Sequence, residues 1–193
     1  KVLWRLIEFY NPLNDSLLNQ KIQEIDPDLI FTNNIAGIGT RVWEIGRKLN
    51  IQILHTARDY YLICARSGMY KGKHACNNQC FECKIYSLNK KKHSQYVNYF
   101  VGVSKFVQKI HFQNGYFKNV IKTNDIQNIF QYDFKNIQKK PRSRPIKFGI
   151  LGYIRETKGV NQLLQNINLE IELEIIIAGK YTNDSYGREF LRI

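Results

Sequence analysis

The chain has 193 residues, 44% of them hydrophobic and 13% aromatic, a composition that builds a core and excludes an intrinsically disordered chain. Its 29 Lys and Arg outweigh 16 Asp and Glu for a formal charge of +13, which favours acidic partners: phosphate-bearing substrates, anionic lipid headgroups or nucleic acid. No apolar run approaches the ~20 residues that span a bilayer and no signal-peptide pattern opens the chain, so a cytoplasmic protein is expected, in which disulfides are disfavoured. A start at Lys1 and an end at Arg192-Ile193, inside a helix-like pattern, suggest a piece of a longer chain.

In chain order, Asp15 is placed to cap a helix whose Leu18, Ile22 and Ile25 share one face. Pro27 ends it, and Leu29-Ile30-Phe31 reads as a short buried strand. Gly37 and Gly39 lead into a helix carrying Val42, Ile45 and Leu49, with Asn50 as its stop, and residues 51–54 form the next strand. Residues 85–96 suit a helix and 99–103 a strand. Ser104 suits the N-cap of a helix over 105–112 with Phe106, Val107 and Ile110 facing inward. Asn114-Gly115 stops that helix, Val120-Ile121 reads as a further strand, and 126–132 as irregular.

Residues 133–145, DFKNIQKKPRSRP, are polar, basic and contain two prolines, as a linker would be. A strand over 146–151, a turn at Gly152, a helix over 158–167 and a strand over 173–178 then start a fresh βαβ unit. Alternating strands and helices predict an α/β fold with parallel sheets covered by helices. The expected organisation is two Rossmann-like lobes, residues 1–132 and 146–193, joined by the linker and truncated at both ends.

In an open parallel sheet, ligands bind beyond the carboxyl ends of the strands. Three polar clusters stand at such exits: Thr32-Asn33-Asn34, then His55-Thr56-Ala57-Arg58-Asp59, then the stretch from Gly152 to Gly159. Together they outline one cleft between two lobes. In the third, Gly149 and Gly152 admit a ligand to the backbone, while Arg155 and Lys158 bring positive charge beside a helix start, which suits a diphosphate.

PDLIFTNN, HTARDYYLICARSGMYKGKHACNNQCFEC, VGVSKFV, FGILGYIRETKGV and IIIAGK occur in that order between about residue 25 and about residue 180. This ordered set resembles glycosyltransferase family 4, retaining enzymes of the GT-B fold. The resemblance implies a first lobe on the acceptor side and a second that holds a nucleotide-sugar donor, with no catalytic metal. It places Gly152, Arg155 and Lys158 at the donor phosphates, with Tyr153 standing where the family carries an arginine. It places Arg58 and Asp59 in the donor-sugar pocket as the catalytic pair, although Arg58 occupies the position of a family histidine and cannot act as a base. His55 is not that histidine's equivalent and reads equally as a satisfied strand-end residue. Asn33 and Asn34 border the acceptor side. The family's Gly-rich loop would precede Lys1 and its Glu-x7-Glu segment would follow Ile193, so this piece alone is expected to be inactive.

The four cysteines, Cys64, Cys76, Cys80 and Cys83, lie on one stretch. The Cys-x2-Cys spacing suits a tetrahedral metal site, with zinc or iron as the metal. We expect a closed structural site that pins a loop with no structure of its own; reduced thiols and a disulfide are the alternatives. His74 is a spare ligand, and four thiolates leave no open position for catalytic zinc.

The expected function is transfer of a sugar from a nucleotide sugar to a glycan or lipid-linked acceptor in surface polysaccharide or glycolipid synthesis. The basic surface would then help the protein rest against the inner face of an anionic membrane. The rival is a non-enzymatic, zinc-containing module that binds nucleic acid, supported by the charge, the cysteines and abundant Tyr and Phe. Nucleic acid is not the expected partner, because the aromatics fall on core positions instead of interleaving with the basic runs.

Overall fold

The computed structural model describes residues 12–72, 74–128, 145–167, 172–181 and 183–191. Except for Pro145, the expected linker lies outside the described residues, as do the basic run from Lys139 to Arg144 and the helix-like end at Arg192-Ile193. The chain divides into two compact units, Lys1–Phe130 and Gln131–Ile193. Each is a mixed α/β arrangement whose main sheet is parallel.

The first unit opens with helix α1 (Pro12–Ile25) and strand β1 (Leu29–Asn33). Proline suits a first helical turn because its missing N–H would have had no partner there. Asp15 therefore lies within that turn instead of capping it, and pairs with Arg41 at 2.9 Å. Ile22 is buried as expected, but Ile25 is 71% exposed because the helix ends there and the chain turns away at Asp26, with a φ of 48°.

Helix α2 (Arg41–Lys48) buries Val42, Trp43, Ile45 and Gly46, and carries Glu44 in its first turn and Arg47 and Lys48 in its last, which complements the helix dipole. A Cβ on Gly46 would come within 2.9 Å of the Ile30 Cδ1 and 3.1 Å of the Ile53 Cδ1, so glycine lets α2 sit close to the sheet without moving those side chains. Strand β2 (Gln52–Ala57) follows, then a small antiparallel hairpin of β3 (Tyr70–Lys71) and β4 (His74–Ala75). Two short helices, α3 (Phe81–Tyr86) and α4 (Leu88–His93), lead to β5 (Tyr99–Gly102), α5 (Lys105–Gln113) and β6 (Lys122–Asp125).

Ser104 caps α5 as expected, its hydroxyl accepting the Val107 N–H at 3.2 Å. Val107 and Ile110 face inward, but Phe106 is 62% exposed: it lies one residue before the buried Val107, on the far side of the helix. The last strand starts at Lys122 instead of Val120, because Val120 still closes a turn onto the Phe117 carbonyl.

The sheet order is β1-β2-β5-β6 with every pair parallel. Register places Asn33 beside Thr56, Ala57 beside Gly102, and Gly102 beside Asp125, so all four carboxyl ends lie along one edge. Beneath it, Trp43, Ile53, Phe100 and Phe117 are fully buried, with the Phe100 and Phe117 rings stacked at 3.9 Å.

In the second unit, β7 (Ile146–Leu151) pairs in parallel with β8 (Leu173–Ala178), accompanied by helices α6 (Val160–Gln165) and α7 (Ser185–Phe190). Ile154, Val160 and Tyr186 are buried between them. The helix expected over 158–167 is shorter: Glu156–Lys158 form a 3-10 turn, and left-handed Gly159, with a φ of 68°, separates it from α6. No helix among the described residues is long and apolar enough to cross a membrane.

Candidate functional site

The first unit gathers Asn34, Arg58 and Asp59 at the exits of β1 and β2. Asn34 turns away from β1 with a φ of 51°, a left-handed conformation that asparagine tolerates better than most residues. Arg58 and Asp59 leave β2 exposed to solvent, and the Asp59 Oδ1 accepts the Tyr61 N–H at 2.8 Å. That bond fixes the turn and leaves the second carboxylate oxygen for another partner. Asn34, His55, Thr56, Arg58, Asp59 and Tyr61 line a notch of about 60 Å³. This volume takes a water or one small group, well short of the ~300 Å³ at which ligand pockets begin. Asn33, the last residue of β1, is exposed and stands outside the lining.

His55 closes the notch from below and is 3% exposed. Its Nδ1 lies 2.9 Å from the Thr32 hydroxyl, which also accepts the Trp43 indole N–H at 3.0 Å. Burial drives the His55 pKa down to about 3, with His111 lowering it further. Neutral imidazole among Trp43, Phe100 and Phe117 makes His55 a satisfied core residue under the site.

His93 plays a parallel part beneath α2. Its Nδ1 meets the Thr40 hydroxyl at 2.9 Å, and its Nε2 lies 3.5 Å from Glu44. Beside it, Lys90 of the basic run donates to the Tyr61 carbonyl at 3.2 Å and sits 3.5 Å above the Tyr61 ring. Lys90 therefore braces the turn after β2.

The second unit brings Gly152, Tyr153, Arg155 and Lys158 into one turn after β7. Gly152 has a φ of 130°, and its N–H reaches the Ala178 carbonyl at 3.0 Å. A Cβ on Gly179 would fall 1.7 Å from the Gly152 carbonyl oxygen, so the two strand exits touch through bare backbone. Tyr153 is half exposed, and the Arg155 guanidinium lies over its ring at 4.7 Å. Stacking of this kind orients the planar donor fork of an arginine. Lys158 is exposed, and its backbone N–H closes the turn onto the Arg155 carbonyl at 2.9 Å. Two cations and an aromatic ring thus share one glycine-opened turn.

The cysteine stretch is better structured than its sequence suggests. Gln79 donates to the Ile63 carbonyl at 2.7 Å, the Tyr116 hydroxyl donates to the Leu62 carbonyl at 2.8 Å, and the β3–β4 hairpin folds between them. All four thiols are free. The Cys64 and Cys83 sulfurs are 4.0 Å apart, close to the ~3.8 Å edge of a tetrahedral thiolate site with ~2.3 Å metal–sulfur bonds. The Ala65 N–H points at the Cys83 sulfur and the Arg66 N–H at the Cys64 sulfur. Yet among the described residues no three His, Cys, Asp or Glu side chains gather around a common point where a metal could sit. Cys64 and Cys83 thus stand at a spacing that a tetrahedral metal accepts, and the loop has protein anchors of its own.

The Cys83 N–H and thiol beside the Cys80 sulfur, aided by Lys71, lower the Cys80 pKa against the effects of burial and Glu82. Burial pushes the Cys83 thiol up to about 12.

Tyr60, Phe106 and Lys109, none of them a site candidate from the sequence, share a second cavity at the same edge of the sheet. Their signal was position: Tyr60 follows the exit of β2 and Phe106 that of β5.

No family model matches the chain. It is 29% identical over 188 residues to an uncharacterized 42.6 kDa protein in the cps region of Klebsiella pneumoniae, with 96% of this chain aligned. The chain spans about half (49%) of that relative's length.

Proposed function

We propose that the chain is part of a retaining glycosyltransferase that moves a sugar from a nucleotide sugar to a glycan or lipid-linked acceptor in surface polysaccharide or glycolipid synthesis. The observation that carries this reading is the turn after β7, where Arg155 and Lys158 stand beside a glycine-opened backbone at the exit of a parallel strand. A relative from a cps region, a term that denotes capsular polysaccharide, supports the same direction.

In this proposal Arg155 and Lys158 hold the donor diphosphate, and Gly152 lets it approach the backbone with Tyr153 at its side. Arg58 and Asp59 line the sugar pocket: Arg58 binds a hydroxyl or phosphate oxygen, and the free oxygen of Asp59 accepts a sugar hydroxyl. Asn33 and Asn34 border the acceptor. No catalytic metal takes part, and the activity belongs to the full-length protein. The excess of positive charge favours peripheral contact with an anionic membrane where lipid-linked acceptors reside.

Calorimetry on the full-length protein with UDP, GDP and a single-stranded oligonucleotide tests the reading. A nucleoside diphosphate should bind, and Lys158→Ala or Arg155→Ala should each weaken it by about tenfold or more, the loss of one charge-assisted contact. Salt-steep oligonucleotide binding without nucleoside diphosphate binding would overturn the proposal in favour of a nucleic-acid module.

A further inference from the structure

A cavity of about 380 Å³ opens on the first unit between the turn after β2, the cysteine stretch and α5, with Tyr60, Met69, Cys76, Asn77, Phe106 and Lys109 in its wall. It is some six times larger than the notch at Arg58, by 380 against 60 Å³, and lies within the ~300–1,000 Å³ range of small-molecule sites.

The wall is held in place. The Tyr60 carbonyl accepts the Cys64 N–H at 2.7 Å, the Met69 carbonyl accepts the Cys76 N–H at 2.7 Å, and Ser104 caps the helix that carries Phe106 and Lys109. The Tyr60 and Phe106 rings meet edge to face at 6.5 Å and form an apolar corner. Phe106 is 62% exposed, a large apolar side chain at the mouth of the cavity. Gln113 adds a second side-chain amide to that of Asn77, and Lys109 brings an exposed cation that makes no ion pair among the described residues.

We propose that this cavity binds a saccharide bearing an acidic group. A pyranose shows C–H bonds on its faces and hydroxyls around its edge. The Tyr60–Phe106 corner matches a face, the Asn77 and Gln113 amides match the edge, and Lys109 matches a carboxylate or phosphate. Plain apolar ligands would leave the two amides and the ammonium desolvated without partners, at a cost in free energy. A free inorganic anion would leave the aromatic corner unused. The role of such a saccharide as acceptor rests on the glycosyltransferase reading above; its binding does not, so a binding measurement separates the two.

The experiment is calorimetric titration of the full-length protein, without donor, with four probes: a glucuronic acid-terminated disaccharide, its glucose-terminated counterpart, glucose 1-phosphate and inorganic phosphate. At least one acidic sugar should bind about tenfold or more tightly than the neutral disaccharide, and whichever is tighter identifies carboxylate or phosphate as the natural group. Phe106→Ala, at an exposed position, should weaken every sugar by about tenfold or more. Lys109→Gln should bring the acidic sugar down to the affinity of the neutral one. Absence of sugar binding, equal affinity for inorganic phosphate and the sugars, or indifference to both variants would each overturn the proposal. Sugar binding without nucleoside diphosphate binding would uphold this site while overturning the glycosyltransferase reading.

Discussion

The two parallel sheets rest on very different foundations. In the first unit the strands alternate cleanly, β2 burying Ile53, His55 and Ala57 and β5 burying Phe100 and Gly102. In the second unit β7 reads as an equally apolar run, yet Phe148 is 55% exposed and Leu151 85% exposed, with Ile176 of β8 exposed beside them. Two-stranded sheets are marginal alone, and parallel strands are ordinarily covered on both faces. Among the described residues, Asn34, Arg58 and Asp59 of the first unit therefore stand on a packed base, and the turn after β7 stands on a two-stranded sheet. Such a turn depends on the backbone contact between Gly152 and Gly179 and on the small cluster around Tyr186.

That contrast can be broken most forcefully at Trp43. The residue is fully buried, edge-on to His55, and donates to Thr32. Trp43→Ala should cost about 3–5 kcal/mol in urea unfolding of the first unit. If the units fold independently, amide exchange in β7 and β8 will not change; a parallel rise there would show that they fold as one.

Acid sharpens the same contrast, because all four histidines lie in the first unit. Burial holds His55 near pKa 3 and His111 near 4, below the 6.5 of an unfolded chain. The unfolded state therefore binds protons first. The stability these neutral rings contribute is complete above about pH 6.5 and is lost as pH falls toward 4 and then 3. At pH 5 His55 and His111 should each have lost roughly 2 kcal/mol relative to pH 7.5, read by urea midpoints on probes in the first unit. The second unit should show no histidine-linked step.

A smaller effect is expected at Tyr186, whose hydroxyl accepts the buried Asn161 N–H at 2.8 Å and donates to Gln162. Tyr186→Phe leaves that N–H unpaired and should cost about 1–2 kcal/mol, seen as faster exchange in α6 and the turn before it. The mildest probe is alkylation. Cys80 should react first and Cys83 last, resolved by mass spectrometry. Protection of all four thiols together, released by a chelator, would contradict that order and favour a structural metal.

Much of the architecture was legible in the sequence because period and punctuation carry it. Ser104 and Asn114-Gly115 bracket α5, and the apolar runs at 29–31, 51–54, 99–103, 146–151 and 173–178 all fall on strands. Burial was less legible, since it depends on what lies opposite. Phe106 and Ile25 continue helical patterns but stay largely exposed, whereas His55 is polar in type and core in fact. The strand-exit clusters were visible because carboxyl ends follow from parallel order. The cavity at Tyr60, Phe106 and Lys109 was not, because it needs the cysteine stretch folded against α5, a contact between segments far apart in the chain.

Sugar transfer from a nucleotide donor is open to direct product analysis. The full-length protein, given a panel of nucleotide sugars and an acidic saccharide acceptor, should release nucleoside diphosphate and form a glycoside whose NMR coupling shows the donor's anomeric configuration kept. Arg58→Ala and Lys158→Ala should both depress that turnover. A glycoside of inverted configuration, or no nucleoside diphosphate released from any donor, would contradict the account.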